Sequence, residues 1–442
     1  MAMGRKKSKQ SDLWVTTEEI TKPGSHPFYA KVNAVLDECK FDRKAEQLYQ
    51  RFSKPVKGRP SITTGVYFRA LLVGYCEGIS SERGIAWRQA DSLSLREFLG
   101  FNLSDQTPDH SRLSRTRRLL PVETHRAVFR WFVWALGAKG LLNGQTLGID
   151  ATTLEANAAM RSIERRDTGA KYVEYLKGLA AAEGIENPTP EQSARLDRKR
   201  KKKTSNKDWK SPADPDSRIA KMKDGRTHLA HKAEHAVDLN SGALVAVTLQ
   251  AAGQGDSATV AQTLSEARAN AEFLSESGVQ GVVADKGYHS GAVLAPVEEA
   301  AVSTVIAEPE RGRRNWSGRE AERDLVYANR GRVRSERGRR LLKLRSELVE
   351  RSFAHMYDTG GMRRTHLRGR DNILKRLLFH AAAFNIALLV RKLHGIGKPR
   401  TLQGASPALL NALLSLWIAL ARLYVAEFVE RADWDAVDGL AA

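Results

Sequence analysis

"GVVADKGYHS", residues 281–290, is an apolar run that stops on an acid and then continues Lys-Gly-Tyr-His. With Gly278-Val279-Gln280 before it, the run reads as a short apolar strand. A second β-like run, "QTLGIDATTLEAN" (residues 145–157), ends at Asp150, with Thr152 and Thr153 continuing extended. Aspartate is common at strand ends because its carboxylate caps turns and helices. Asp285 could therefore merely turn the chain, or it could sit there to hold a cation. The choice depends on what partners the rest of the chain supplies.

Outward from these two runs the pattern is mixed. "HLAHKAEHAVDLNSGALVAVTLQ" is two alternating strands around the turn residues Asn240-Ser241-Gly242, a hairpin. "GDSATVAQTLSEARANAEFL" is helical, with Asp256 or Ser257 as its cap, and "VSTVIAEP" is a further strand. A basic helical stretch and the amphipathic "DNILKRLLFHAAAFNIALLVRKL" follow. The order β-(insertion)-β-β-α-β-α-β-α predicts an α/β domain with a central mixed sheet over residues 141–395. Its insertion, near 160–226, contains "RLDRKRKKKTSNKDWKSPADPDSR", a run of the kind that is solvated and mobile or that folds onto phosphate.

The N-terminal side reads differently. Residues 1–55 form a basic segment with a short helical stretch around Ala30 to Phe52, and Pro55, Gly58 and Pro60 then punctuate the chain. Residues 56–140 are helical throughout, and "PDHSRLSRTRRLLPVETH" places Arg112, Arg115, Arg117 and Arg118 on about two turns. Short helices, a turn at Gly78 with Ser80-Ser81, and an arginine-bearing helix predict a helix-turn-helix-like DNA-binding domain. A solvated arginine face is the plainer alternative. Residues 396–442 form a helical tail. Its apolar stretch, 406–428, is long enough to cross a bilayer, but Asn411, Arg422 and Glu427 interrupt it, so it reads as a packed helix.

Composition narrows the class. Seventy-one Lys and Arg against 51 Asp and Glu in 442 residues give a formal +20, which points to a polyanionic partner, most commonly nucleic acid. Two cysteines, Cys39 and Cys76, are too few for a disulfide framework or a four-Cys zinc site. A reduced intracellular setting follows, and the basic N-terminus has no apolar core of the kind a secretory signal needs. No membrane partner is expected.

The acids carry the chemistry. If the strands ending at Asp150 and Asp285 are neighbours, their carboxylates lie side by side, and Glu350 in "SELVERSFAHM" can be brought against them from a later helix. Three carboxylates at one point repel strongly and need a cation among them; hard oxygen ligands suit Mg²⁺ or Mn²⁺. Glu347, one turn from Glu350, competes for the third place. Lys286 could meet a phosphate, and Tyr288 or His289 a sugar or base. Gly287 would let the backbone turn away and leave room for a DNA strand. A Tyr288 ring packed on the sheet is the alternative. His231 and His235 have a metal-like spacing but lie in a strand pattern, which argues against zinc.

The blocks "GIDATTLEAN", "VVADKGYHSG" and "ELVERSFAHM…GGMRRTHLRGRDNILKRLLFHAAAFNIALLVRKL" resemble the three catalytic blocks of bacterial insertion-sequence DDE transposases. The resemblance is to the family conventionally numbered eleven eighty-two, related to the four and five families, and covers most of residues 20–395. It implies a ribonuclease-H-like catalytic domain with Asp150, Asp285 and Glu350 as catalytic and metal-binding triad. It further implies an enzyme that cleaves and transfers DNA strands with two Mg²⁺ or Mn²⁺ ions. The implied partners are double-stranded DNA (terminal inverted repeats and target) and a second copy of the chain on that DNA, in the bacterial cytoplasm at the nucleoid. One departure stands out. The related four-numbered family has a Tyr-Arg-Glu-Lys spacing, but here Ser346 and Tyr357 occupy the places of its Arg and Lys. Arg345, Arg351, His355, Arg363 and Arg364 are the candidates for contacting the DNA end instead. A non-catalytic DNA-binding relative and a purely hydrolytic nuclease are the rival functions.

Overall fold

A computed structural model describes residues 26–50, 62–199, 205–222, 225–274, 277–310, 312 and 314–396. The chain starts in helices: α1 Pro27–Glu38, α2 Phe41–Gln50, α3 Thr64–Glu77, α4 Glu82–Asp91, α5 Leu93–Phe98, α6 His110–Leu119 and α7 Val122–Ala138. Their starts are written locally. The side chains of Thr63, Ser81, Ser92 and Asp109 each accept a hydrogen bond from an amide in the first turn of the helix they precede. Gly78, at φ 70°, ends α3 in the left-handed region and delivers the chain to α4.

The second part is built on β1 Thr146–Glu155, β2 Glu164–Arg165, β3 Trp209–Lys210, β4 Arg218–Lys221, β5 Thr227–Asp238, β6 Leu244–Ala251, β7 Gly281–Ala284 and β8 Ser303–Ile306. Between them run α8 Tyr172–Ala182, α9 Pro190–Lys199, α10 Asp256–Ala271 and α11 Gly291–Glu299; after them come α12 Glu320–Arg334, α13 Glu336–Phe353 and α14 Arg370–His394. The main sheet has the order β4-β5-β1-β7-β8, and β6 also pairs with β5. β1 is antiparallel to β5 and parallel to β7, so the sheet is mixed. β5 is long enough to hold β4 at its start and β6 along the rest of the same edge. The expected hairpin joins β5 to β6, with Ser241 donating to the Asp238 carboxylate and Gly242 at φ 79°.

Helices cover both faces. Glu234 on β5 meets Thr259 and Thr263 of α10, whereas its neighbour His235, which points the other way by strand alternation, meets Ser352 of α13. This explains why both residues are fully buried. α14 packs on β6 and also against α3 and α7. Accordingly one apolar core runs from Phe28 and Phe68 through Phe132 and Val245 to Leu389. The helical part and the sheet share that core.

Two expectations are corrected here. β1 does not end at Asp150 but continues to Glu155, held by β5 all the way. The basic insertion is folded over its described residues: Trp209 is buried with Ala156, Ile163, Tyr172 and Leu229 in a small satellite core, and buried Asp214 pairs with His231 at 2.9 Å. Residues 200–204 of the basic arm, the N-terminal segment to residue 25 and the tail from 397 lie outside the described residues. Among the described residues, α14 is long and apolar enough to cross a membrane, but that stretch is wholly buried in the protein.

Candidate active site

Pairing between β1 and β7 stops at Ile149 opposite Ala284. The next residue on each strand is an acid, Asp150 and Asp285. On that side, then, Asp150 does stand at an end, although β5 carries its strand further. β7 gives way to a turn, Lys286–Tyr288, capped by Asp285, whose Oδ1 accepts from the Gly287 amide at 2.8 Å. The capping reading of Asp285 is thus realised through Oδ1, while Oδ2 faces Asp150 across an arginine.

That arginine is Arg345 of α13. Its Nη2 lies 2.7 Å from Asp150 Oδ2 and 3.8 Å from Asp285 Oδ2, and its Nε donates to the Ile149 carbonyl at 3.2 Å. α13 can lie this close because residue 148 is glycine. A Cβ there would stand 2.7 Å from Leu239 Cδ2, 3.1 Å from Arg345 Cγ and 3.3 Å from Val349 Cγ2. Gly148→Ala is expected to cost about 1–3 kcal/mol by overpacking, read from urea unfolding, and to loosen α13 from β1.

Burial pushes the Asp150 carboxyl up to about 6, against the pull of Arg345 and the Ala151 amide, which favour its charged form; Asp285 and Glu350 push it up further. A carboxyl raised in the fold contributes stability below its ordinary value near 3.8 and loses it as pH rises through about 6. Metal-free Asp150→Asn protein should accordingly gain stability relative to wild type between about pH 4 and pH 6.5, measured by urea unfolding in EDTA.

Glu350 is exposed on α13, close enough for its charge to act on Asp150. Glu347 is spent otherwise: it pairs with Arg351 one turn along, in solvent. Below Glu350, α13 runs into a wide π-type turn, Ala354–Thr359, that carries Tyr357 inward. His235, opposite Asp150 in the β1–β5 register, bonds Ser352 Oγ at 2.8 Å and the Tyr357 hydroxyl. Burial lowers its pKa to about 3, so it is a neutral strut that ties β5 to the helix bearing Glu350.

Several expected contact residues are placed differently. Tyr288 is buried and donates to Glu234 Oε1 at 2.9 Å, and His289 is buried as well; neither presents a surface to a DNA strand. Gly287 serves packing: a Cβ would lie 2.5 Å from Asp256 Oδ2, at the start of α10. Lys286 is exposed. Arg351, Arg363 and Arg364 are on the surface, facing Glu347, Asp358 and Glu155 respectively. In the helical part Arg115 is exposed and Arg112 half-buried, but Arg117 points inward to Glu82 at 2.9 Å. His231 and His235 are taken up by hydrogen bonds to Asp214 and to Ser352 and Tyr357. The role of Arg345 between the aspartates, and the buried Glu234–Thr259–Thr263–Tyr288 network, were not foreseen; no local spacing encodes such long-range contacts.

As a donor set, three carboxylates suit a hard divalent cation. Among the described residues no three acid, His or Cys side chains already close into a metal cage. The place between the two aspartates is spanned by the guanidinium.

A mixed α/β fold thus sets Asp150 and Asp285 just past the last paired residues of two parallel strands, beside the helix that carries Glu350, on a chain of formal charge +20. Two family models match: "Transposase domain (DUF772)" over residues 16–119 and "Transposase DDE domain" over 188–386. The chain belongs to the DDE transposases of insertion sequences, a family that generally uses divalent metal ions. Asp285 and Glu350 fall inside the second match; Asp150 falls between the two, so it is tied to the site by its register beside Asp285. No curated protein and no solved structure matches the chain.

Proposed function

We propose that this transposase binds the terminal repeats of its own element, cleaves a strand at the element's end to free a 3′-hydroxyl, and directs that hydroxyl at a phosphodiester of target DNA. Asp150, Asp285 and Glu350 would hold Mg²⁺ or Mn²⁺, which when bound stabilises charge on the attacking and leaving oxygens. The observation that carries this is the alignment of Asp150 and Asp285 just past the last paired residues of two parallel strands, beneath the helix that bears Glu350. The mixed sheet with helices on both faces supports a ribonuclease-H-like catalytic domain. Lys286, Arg112, Arg115, Arg351, Arg363 and Arg364 would contact the DNA backbone, which makes binding steeply salt-dependent. Two ends held together call for a homodimer on DNA, and the protein would work in the bacterial cytoplasm at the nucleoid.

The test is incubation of the purified chain with labelled DNA from the ends flanking its gene, in Mg²⁺, Mn²⁺ or EDTA, beside Asp285→Asn. Nicking at a fixed position that needs metal and is lost in the variant supports the proposal, and joined products distinguish a transposase from a hydrolytic nuclease. Tight binding without cleavage by either protein would favour a non-catalytic relative.

A further inference from the structure

Arg345 is unlike the other arginines of α12 and α13. Arg330 and Arg332 pair with Glu308 and Glu298, and Arg351 pairs with Glu347 on its own helix. Arg345 alone among these is directed at the two strand-end aspartates. Its side chain is only 10% exposed, and it reaches them over the gap left by Gly148. Nε is anchored on the Ile149 carbonyl, whereas Nη2 is buried and has no acceptor in hydrogen-bonding alignment despite lying near both carboxylates. The contact is thus one of charge more than of directed hydrogen bonding.

Two ionised carboxylates facing one another repel, and a cation between them relieves that repulsion. Here a side chain of the same protein supplies the cation. We infer that Arg345 is a positioning residue that stands in for the divalent cation, holding Asp150 and Asp285 face to face until a metal ion takes its place, so that guanidinium and metal compete for the same two oxygens. The competition follows from size and charge. A divalent ion of this class draws its oxygen ligands to about 2.0–2.1 Å, which leaves no room for a guanidinium nitrogen already in contact with one of them. Arginine cannot yield by losing its proton, so it must move aside. The inference rests on the reading of these acids as metal ligands.

The experiment uses the full chain without DNA and measures Mn²⁺ binding by the electron paramagnetic resonance signal of free Mn²⁺, for wild type, Arg345→Gln, Arg345→Lys and Asp150→Asn. Thermal unfolding in EDTA and in saturating Mn²⁺ is recorded for each. Arg345→Gln should bind Mn²⁺ about tenfold more tightly than wild type, because nothing has to be displaced. It should also melt lower than wild type in EDTA and gain more from Mn²⁺. Arg345→Lys, which keeps the charge but cannot span both the carbonyl and the acids, should fall between them and serves should the glutamine variant fail to fold. Affinity unchanged or weakened in both Arg345 variants, with Asp150→Asn abolishing the site, would overturn the competition. Mn²⁺ binding untouched by Asp150→Asn would instead sink the metal-ligand reading beneath it.

Discussion

Glu350→Gln is expected to lower strand cleavage to below about 1% of wild type while leaving affinity for the element's ends within about twofold. Gln keeps the shape and one oxygen but loses the charge that a hard cation needs. Glu347→Gln should retain more than about half the activity, since its carboxylate is paired with Arg351 in solvent and an exposed pair of this kind is worth little. The pair of variants is decisive because the two glutamates share a helix and differ by three positions. Cleavage assays on labelled end DNA, with binding followed by anisotropy, separate the two effects. If Glu347→Gln were the more damaging change, the assignment of the third acid would fall.

The second large effect lies away from the acids. Glu82, at the start of α4, receives Arg117 of α6 at 2.9 Å and Arg376 of α14 at 3.6 Å, and all three side chains are close to fully buried. One carboxylate thus offsets two buried cations. Glu82→Ala should destabilise the protein by about 3–5 kcal/mol, because it leaves two guanidinium groups in the interior without a counter-charge. Arg117→Met added to Glu82→Ala should recover part of that loss by removing one stranded cation. Chemical denaturation monitored by tryptophan fluorescence reads both. Little change on Glu82→Ala would mean that water reaches the cluster and that α4 and α6 are less firmly seated on α14 than their contacts imply.

Much of this was legible in the sequence, for identifiable reasons. Two apolar runs each stop on an aspartate, and the alternation around Asn240-Ser241-Gly242 fixes a hairpin, so the mixed sheet follows from local patterns. Thr152 and Thr153 read as extended, but that they continue one paired strand to Glu155 was not legible, because only β5, some 80 residues away in sequence, holds that second half. Of the two readings of Tyr288, the ring packed on the sheet is the one realised: the short turn swings it inward, onto Glu234. Arg117 could have been read correctly: Leu113, Thr116, Arg117 and Leu120 share the inward face of their segment at helical spacing, and all four are buried. Charge drew the eye to it as a surface residue; periodicity pointed the other way. Arg345 stood as a candidate for contacting the DNA end because it lies beside Ser346, where the related family carries an arginine. Its position in the site follows from the absence of a side chain at Gly148, which matters only once a helix is laid across that strand.

The core that runs unbroken from α1 through the sheet to α14 bears on how such an element can change hosts and targets. A recognition head joined by a linker can be exchanged whole between lineages. Here the helices that would read DNA are built into the same interior as the acids, so a transplanted head would have to match dozens of packed side chains at once. New end specificity in this lineage should accumulate by point changes on the exposed faces of its helices, and terminal repeats and protein should drift together in small steps.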